Sequence, residues 1–166
     1  MKILIAEDDA TSRLVLEATL HKAGHEVVAA ENGLHAWTAW REAFCPVLIS
    51  DWQMPDLDGL ELCRAIRGMG NANYTYIVLL TAHGGKANYL EAMTAGADDF
   101  LTKPLDVDQL LAKLHVAERI LSLRQHVKRL EGILSICAYC KKIRDDSRWR
   151  QMESYVTQHS EAQFSH

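Results

Sequence analysis

The stretch that decides the fold is Val47-Leu48-Ile49-Ser50-Asp51-Trp52-Gln53-Met54-Pro55-Asp56-Leu57-Asp58-Gly59. Its first four residues form a short apolar run, which is typical of a strand buried on both faces. The run stops at Asp51, and Pro55 and Asp58-Gly59 are turn signals beyond it. Asp51 is therefore predicted to lie where a buried strand ends in a loop, the edge at which open α/β sheets bind ligands. The alternative for an isolated Asp is a cap on the following helix.

Three further apolar runs also end in polar side chains. They cover residues 2–6, 76–80 and 99–102 and are followed by Glu7-Asp8-Asp9, Thr81-Ala82 and Lys103-Pro104. Clustered carboxylates repel one another, and Mg²⁺, which takes carboxylate, water and phosphate oxygens, would relieve that repulsion. A carboxylate can also act as a nucleophile that forms an aspartyl phosphate. Thr81 and Lys103 would bind such a phosphoryl group through a hydrogen bond and through charge.

These residues resemble the receiver domain of bacterial two-component response regulators. The resemblance covers roughly residues 1–120, with the spacings of that family. Its elements are Glu7-Asp8, Asp51, Met54-Pro55 with Asp58-Gly59, Thr81-Ala82 and Lys103-Pro104. It implies a protein that accepts a phosphoryl group from a sensor histidine kinase or a phosphotransfer protein. It also implies that the chain is not an enzyme beyond its own phosphorylation and dephosphorylation.

The resemblance implies a role for each residue near the metal. Asp51 corresponds to the phosphoacceptor, and Asp8 together with Asp51 to the direct Mg²⁺ ligands. The backbone carbonyl of Gln53 corresponds to a third ligand, and Glu7 to a residue that acts through water. Asp9 is predicted to cap a helix rather than to bind the ion.

The same resemblance assigns the switch. Thr81 corresponds to the hydroxyl that moves toward the phosphoryl group, and Phe100 to the aromatic ring that turns inward with it. Lys103 corresponds to the phosphate-binding lysine, and its bond to Pro104 is cis in the family. Gln53 and His83 match the two variable positions that tune the phosphoryl lifetime.

Five strand patterns alternate with helix patterns, which predicts a parallel sheet with right-handed crossovers. The predicted fold is α/β, a flavodoxin-like, doubly wound sheet of order 2-1-3-4-5 with an extended C-terminal helix. Strands are expected near 2–6, 25–30, 47–50, 75–80 and 98–101, and helices near 9–24, 32–44, 57–68, 86–95 and from 107. This order places strands one and three side by side, which brings Asp8 beside Asp51. Packing in the interior is the predicted role of Trp37, Trp40, Cys45 and Cys63.

Length and composition limit the classes of function. At 166 residues the chain has room for one ordinary domain and an appendage. The net charge of −4 gives no indication of a nucleic-acid-binding surface. No apolar run is long enough to span a bilayer, and none forms a signal peptide. Four cysteines without a secretory signal favour reduced thiols and a cytoplasmic location.

A long last helix is predicted over residues 107–137, which contain no Pro and a single Gly. Its first face suits packing on the sheet and comprises Leu110, Leu111, Leu114, Ala117 and Leu121. A second apolar seam advances in steps of four and three and comprises Val116, Ile120, Leu123, Val127, Leu130, Leu134 and Cys137. Such a seam favours a two-stranded parallel coiled coil, and therefore a homodimer. The alternative is one amphipathic helix that folds back on its own domain. We predict a receiver over 1–120 and a linker helix over 107–137.

A small C-terminal segment is predicted over 138–166, and at its start Cys137 and Cys140 have a Cys-x-x-Cys spacing, which is typical of metal ligands. It resembles a short cysteine-containing module at the C-terminus of some bacterial sensor and receiver proteins, in which a second cysteine pair follows Phe-Ser-His. The sequence stops at that point, so the module is interpreted as either truncated or degenerate. A four-ligand zinc site would then need His159 and His166, at a wider spacing than finger-type pairs use.

Two other classes of function compete with the receiver. An α/β phosphatase with an aspartyl intermediate usually carries a second acid two residues beyond the nucleophile, and Gln53 occupies that position. A phosphorylation-independent dimerisation scaffold would have no need for the intact set of Glu7, Asp8, Asp51, Thr81 and Lys103.

Overall fold

The computed structural model describes residues 1–70, 73–82, 84–133, 135–136, 139–140, 142–145, 148–151 and 154. The chain divides into two compact units, Met1–Leu121 and Ser122–His166. None of the helices in these described ranges is long and apolar enough to cross a membrane.

Strands and helices alternate up to the last helix, which begins in the first unit and ends in the second. In chain order they are β1 (Lys2–Ala6), α1 (Ala10–Lys22), β2 (Glu26–Ala30), α2 (Gly33–Glu42), β3 (Val47–Asp51), α3 (Gly59–Gly68), β4 (Tyr76–Thr81), α4 (Lys86–Ala95), β5 (Asp99–Thr102) and α5 (Val107–Ile133). Three short strands follow, β6 (Ser135–Ile136), β7 (Ile143–Asp145) and β8 (Arg148–Arg150), which form an antiparallel sheet.

The five parallel strands form one sheet in the order β2-β1-β3-β4-β5. Every residue of β3 and β4 is buried, because helices cover both faces of the sheet. The predicted fold class and strand order are confirmed. Since Ala6 lies opposite Ser50, strands β1 and β3 end together, and their following residues meet at one edge.

Alternate residues of each strand belong to two separate apolar layers. Leu4 and Leu48 pack with α2, α3 and α4 on one face, and Ile3 and Ile49 pack with α1 and α5 on the other. Full burial of each such side chain stabilises the fold by roughly 1.5–3 kcal/mol. The sheet is therefore the rigid element that positions the loops at its edges.

Of the predicted packing residues, Trp40, Cys45 and Cys63 are buried, and Trp37 is partly buried against the core. Trp37 stacks on Trp40 at 5.6 Å between ring centroids, and the indole of Trp40 donates to the Thr75 hydroxyl at 2.9 Å. Burial raises the pKa of the Cys63 thiol to about 11, so this group stays protonated at neutral pH.

Several predicted helix boundaries differ from the observed ones by two residues or more, among them the end of α2, at Glu42 rather than near 44. α3 begins at Gly59 rather than near 57, because Asp58 and Glu61 form a capping box at its N-terminus. The last helix ends at Ile133 rather than at 137, because Ser135 and Ile136 pair with β7 and a glycine at 132 weakens the final turn.

The burial of α5 is described for residues 107–125, and there it differs between the two predicted faces. Leu110, Leu114 and Ala117 are buried against the sheet, as the first face predicted. In the second seam, Val116 is 45% exposed and Leu123 is 65% exposed. Ile120, also in this seam, is partly buried against the core. The remaining seam side chains, Val127, Leu130, Leu134 and Cys137, lie outside those that the structure describes.

Candidate functional site

Carboxylates from two adjacent strands meet at the carboxyl edge of the sheet. Glu7 follows β1 directly, its backbone N–H donating to the Ala30 carbonyl at 3.1 Å, and Asp51 ends β3. One ligand oxygen from each of Glu7, Asp8 and Asp51 lies within 4.8 Å of the other two. We call these three residues the acidic cluster. The predicted neighbourhood of Asp8 and Asp51 is therefore present in the fold.

Lys103 reaches this cluster from the end of β5. Its ammonium lies 2.8 Å from Glu7 Oε2 and 2.5 Å from Asp51 Oδ2. Its backbone N–H donates to the Thr81 carbonyl at 2.7 Å, and its peptide bond to Pro104 is cis, as predicted. One cation therefore binds two carboxylates at once.

The acidic cluster carries more negative than positive charge. Burial raises the pKa of Glu7, which is only 1% exposed, and Asp51 raises it further against the opposing effect of Lys103. Burial lowers the pKa of Lys103, but its bonds to Asp51 and Glu7 prevail and hold that pKa above its usual value. In the described part of the chain, Glu7 Oε1 is the only buried side-chain nitrogen or oxygen atom without a hydrogen-bond partner. The carboxylates outnumber the ammonium groups, so the site suits a cation.

The loop after β1 is held by a guanidinium and a helix cap. Arg13 donates to the carbonyl oxygens of Glu7 and Asp8 at 2.6 and 3.2 Å. Asp9 caps α1, since Oδ1 accepts from the Ser12 N–H at 2.7 Å, as predicted. That hydrogen bond lowers the pKa of Asp9. Asp9 therefore serves the helix, while its neighbour Asp8 belongs to the acidic cluster.

The turn after β3 is tightly constrained. The Trp52 N–H donates to the Leu80 carbonyl at 2.7 Å, and the Gly59 N–H donates to the Trp52 carbonyl at 2.8 Å. A Cβ atom at Gly59 would lie 2.2 Å from the Asp51 carbonyl oxygen, so only glycine fits. Because Asp58 caps α3, the alternative role of Asp51 as the cap is excluded.

A shallow depression of about 340 Å³ opens beside Thr81, which is buried at the end of β4. Its lining consists of Trp52, Gln53, Thr81, Asn88 and Glu91. Of these residues, sequence reasoning identified Gln53 and Thr81. It missed Trp52, and it missed Asn88 and Glu91 because α4 carries no apolar periodicity that would indicate which of its faces points to the site. We call this feature the Thr81 depression.

Phe100 lies between two other aromatic rings. Its centroid is 6.2 Å from that of Trp52 and 6.3 Å from that of Tyr89, both in edge-to-face geometry. Such pairs are favourable beyond the area they bury. The ring thus connects the residue after Asp51 with the exposed side of α4. His83, the second predicted lifetime position, lies outside the described residues.

Most of the predicted zinc ligands are not among the residues that the structure describes. Cys140 is exposed, and Cys137, His159 and His166 lie outside the described residues. Across the residues that the structure describes, the acidic cluster is the one group of His, Cys, Asp or Glu that could hold a metal ion. The zinc site stays a prediction.

A flavodoxin-like sheet that carries an acidic cluster and a lysine at its switch point defines the receiver class of α/β proteins. The chain belongs to the response regulator receiver domain family, which residues 3–115 match. It is 36% identical over 118 residues to chemotaxis protein CheY1 of Helicobacter pylori, covering 70% of this chain and 95% of that protein. It is also 36% identical over 116 residues to the CheY homolog of Campylobacter jejuni, covering 69% and 89%.

The solved structures agree. Chemotaxis protein CheY4 of Vibrio cholerae superposes with a TM-score of 0.66 at 32% identity, covering 70% of this chain and 97% of that one. The chain is therefore similar to response regulators of two-component signalling over its receiver region.

Proposed function

We propose that this chain is a phosphoryl-accepting receiver, in which Asp51 takes a phosphoryl group from a sensor histidine kinase or a phosphotransfer protein. The observation that carries the proposal is the 2.5 Å contact between Lys103 Nζ and Asp51 Oδ2 inside the acidic cluster of a receiver-family chain. A lysine that binds one aspartate oxygen can also bind the oxygens of a phosphoryl group attached to that aspartate. Membership of the family supports the same role.

Mg²⁺ is the cofactor in this proposal. The acidic cluster offers oxygen ligands within 4.8 Å of one another, and the buried Glu7 Oε1 has no hydrogen-bond partner, so the donor set fits a hard divalent ion. Asp8, Asp51 and the backbone carbonyl of Gln53 would hold the ion, with Glu7 acting through water. When bound, the ion supplies positive charge for the oxygens of the transferred group.

Apart from the bond that Asp51 forms, the residues of the chain contribute to the transfer by positioning and by charge. A carboxylate oxygen of Asp51 bonds to phosphorus while the P–N bond of the donor phosphohistidine breaks, and its electron pair stays on the imidazole. Lys103 binds a phosphoryl oxygen by charge, and the Thr81 hydroxyl donates a hydrogen bond to another. The chain thereby catalyses only its own phosphorylation and, with water as nucleophile, its own dephosphorylation.

Thr81 and Phe100 are the proposed switch, and Gln53 and His83 the proposed determinants of phosphoryl lifetime. Thr81 directly follows Leu80, which pairs with Asp51 in the sheet, and Gln53 lies two residues after Asp51, which supports the proximity of both to a group on Asp51. The edge-on contacts of Phe100 with Trp52 and Tyr89 supply a route from the site to α4. A phosphoryl group adds roughly two negative charges at this point, which is enough to bias a packed element.

The proposed output is a homodimer through the second seam of α5. Val116 and Leu123 are large apolar side chains left in water, and a second copy of the same helix would cover them. Neither nucleic acid nor membrane is a partner in this proposal. A phosphorylation-independent scaffold would form the same dimer but would not need the acidic cluster.

Intact-mass spectrometry tests the phosphoacceptor directly. With a small phosphodonor and Mg²⁺, the wild-type chain should gain the mass of one phosphoryl group, and removal of Mg²⁺ by a chelator should abolish the gain. Asp51→Asn, which keeps the shape of the side chain, should not be labelled. Equal labelling of the two proteins would refute the assignment of Asp51.

Sedimentation equilibrium tests the dimer. Leu123→Asn with Leu130→Asn should give monomers that still accept phosphate, because each polar group buried in the seam costs about 1–3 kcal/mol. Each dimer would carry that cost twice. A wild-type chain that is monomeric at high micromolar concentration, with and without a phosphoryl mimic, would contradict the dimeric output.

A further inference from the structure

The β3–α3 loop, residues 52–58, contains a backbone turn that most side chains avoid. The Leu57 N–H donates to the Pro55 carbonyl at 2.8 Å, which closes a three-residue turn around Asp56. Asp56 has φ 68°, and in the described part of the chain it is the only residue other than glycine with a positive φ. Asp tolerates this conformation better than most residues with a Cβ atom, but it still needs contacts that hold it there.

Asn32 supplies such a contact from the neighbouring loop. Its side-chain nitrogen Nδ2 donates to Asp56 Oδ2 at 3.2 Å, while its Oδ1 accepts from the His35 N–H at 2.7 Å and caps α2. Asn32 is only 9% exposed, so its amide group is largely withdrawn from water. Both ends of one buried amide are thus used, and the bond to Asp56 joins the start of α2 to the β3–α3 loop.

The same two segments also touch through their backbones. A Cβ atom at Gly33 would lie 2.1 Å from the Leu57 carbonyl oxygen and 2.9 Å from its carbonyl carbon, so only glycine fits there. The Leu57 side chain packs, partly buried, against the apolar layer on this face of the sheet. The start of α2 and the β3–α3 loop are therefore held together by a side-chain contact and a backbone contact.

The β3–α3 loop carries part of the proposed Mg²⁺ site. It begins directly after Asp51, and it contains Gln53, whose carbonyl is the proposed third ligand. The loop is closed at its ends, since the Gly59 N–H donates to the Trp52 carbonyl at 2.8 Å. Because both ends are fixed, a change in the backbone angles of Asp56 must be compensated by its neighbours, which turns their carbonyl groups. Mg²⁺ demands near-octahedral geometry, so the direction of a ligand carbonyl affects its affinity.

The chemistry of the asparagine amide suits it to both contacts. Asn, Asp and Ser are similarly good helix caps, because each offers an oxygen to the first amides of the helix. Of these three, only Asn offers a donor on an atom separate from the accepting oxygen, whereas an ionised Asp offers acceptors alone. Asn32→Asp would therefore keep the cap on α2 but would face Asp56 with a like charge.

We propose that Asn32 is a positioning residue for the Mg²⁺ site, which holds Asp56 in the left-handed turn and thereby directs the Gln53 carbonyl toward the ion. The role of the ion in this inference rests on the proposed function, but the contact between Asn32 and Asp56 does not. The segment between β2 and α2 is in this way part of the metal site, although it supplies no ligand.

An exchange of the two side chains tests the contact. Asn32→Asp keeps the size of the side chain and its capping oxygen but removes the donor, so it should break the contact. Combined with Asp56→Asn, it should restore the contact with donor and acceptor reversed, at the net charge of the wild type. Asp56→Asn alone keeps an acceptor for Asn32 and tolerates the left-handed conformation, so it should stay close to the wild type.

Amide hydrogen exchange, resolved by residue in the metal-free chain, reports on the turn directly. In Asn32→Asp the Leu57 amide should exchange about tenfold faster, while the His35 amide, which reports on the cap, should stay within about twofold. The double variant should return the Leu57 amide to within about twofold of the wild type. A Leu57 amide that Asn32→Asp leaves unchanged, or one that stays fast in the double variant, would overturn the inference.

Mg²⁺ binding, followed by the fluorescence of Trp52, then tests the positioning role. Asn32→Asp should weaken the affinity for Mg²⁺ about tenfold, and the double variant should recover the wild-type affinity. The sign is informative, because the added negative charge of Asn32→Asp would by itself strengthen the binding of a cation. A contact with only a structural role would lower the melting temperature and leave the Mg²⁺ affinity of the folded chain unchanged, and that result would overturn the proposal.

The wild-type chain distinguishes this inference from the proposed function. Its Mg²⁺ binding and the intact-mass labelling of Asp51 report on the proposed function alone. If the wild type neither binds Mg²⁺ nor is labelled, the proposed function fails and Asn32 positions no ligand, while exchange at Leu57 still decides the contact. If the wild type does both but Asn32→Asp binds Mg²⁺ as tightly, only the positioning role is overturned.

Discussion

The carboxylates at the two ends of the parallel sheet differ in how fully their hydrogen bonds are satisfied. Near the beginning of β4 and β5, Asp98 accepts hydrogen bonds from the Tyr74 hydroxyl, from Arg67 Nη2 at 2.7 Å and from the Ile77 N–H at 2.8 Å. All of these donors come from other elements, so Asp98 joins α3 and β4 to the turn before β5. Its charge and its lone pairs are both satisfied.

At the other end, the acidic cluster is left incomplete. Lys103 is shared between Glu7 and Asp51, and Glu7 Oε1 is buried without a partner. A buried polar atom in this state costs stability, and so does the repulsion among the carboxylates. The comparison shows how the same residue type serves two purposes. A saturated carboxylate stabilises the fold, and an unsaturated one is held ready for a ligand.

The largest expected effect is at the saturated end. Asp98→Ala removes the two carboxylate oxygens that accept these three hydrogen bonds and leaves Arg67 without its carboxylate. The free energy of unfolding should therefore fall by about 3 kcal/mol. Urea denaturation measures the loss. Asp98→Asn keeps one acceptor oxygen and should lose less. If Asp98→Ala is as stable as the wild type, the network is not a structural anchor and the comparison fails.

A smaller effect, a gain in stability, is expected when a cation binds to the acidic cluster. Mg²⁺ at 100 times its dissociation constant should raise unfolding free energy by about 2.7 kcal/mol, since only the folded chain assembles the cluster. Thermal unfolding with and without Mg²⁺ measures this, and Trp52 fluorescence follows the titration. Asp8→Asn should weaken the affinity and shrink the gain. An unchanged affinity in that variant would count against Asp8 as a ligand.

The smallest expected effects are changes in the melting temperature Tm that distinguish the neighbouring residues Asp8 and Asp9. Both Tm changes are measured without Mg²⁺. Asp8→Asn should raise the Tm slightly, because it removes one charge from the crowded cluster. Asp9→Ala should lower the Tm, because α1 loses its cap, yet leave Mg²⁺ affinity nearly unchanged. Shifts of the same sign in the two variants would mean that the cluster is not under repulsion.

Local chemistry made much of the fold predictable. Apolar runs such as 47–50 and the turn residues after them located every strand of the sheet to within one residue. Asp9 could be recognised as a cap because capping depends only on residues within one helical turn. The helix boundaries that failed involve competition between local signals. Asp58 rather than Leu57 precedes α3, and strand pairing at Ser135 replaces the last turn of the predicted helix.

The sequence by itself determined which polar residues follow each strand, because the end of a strand and the turn after it depend on adjacent residues. It thereby also determined that Glu7, Asp8, Asp51 and Lys103 lie together at one edge of the sheet. Only the tertiary structure decided which carboxylates are satisfied. Arg67 and Asp98 are 31 residues apart, and neither carries a local signal for the other. Likewise, Glu7 Oε1 lacks a hydrogen-bond partner because no donor from a distant part of the chain lies close enough to it. Hydrogen-bond saturation is a property of packed neighbours, so it appears only once the chain has folded.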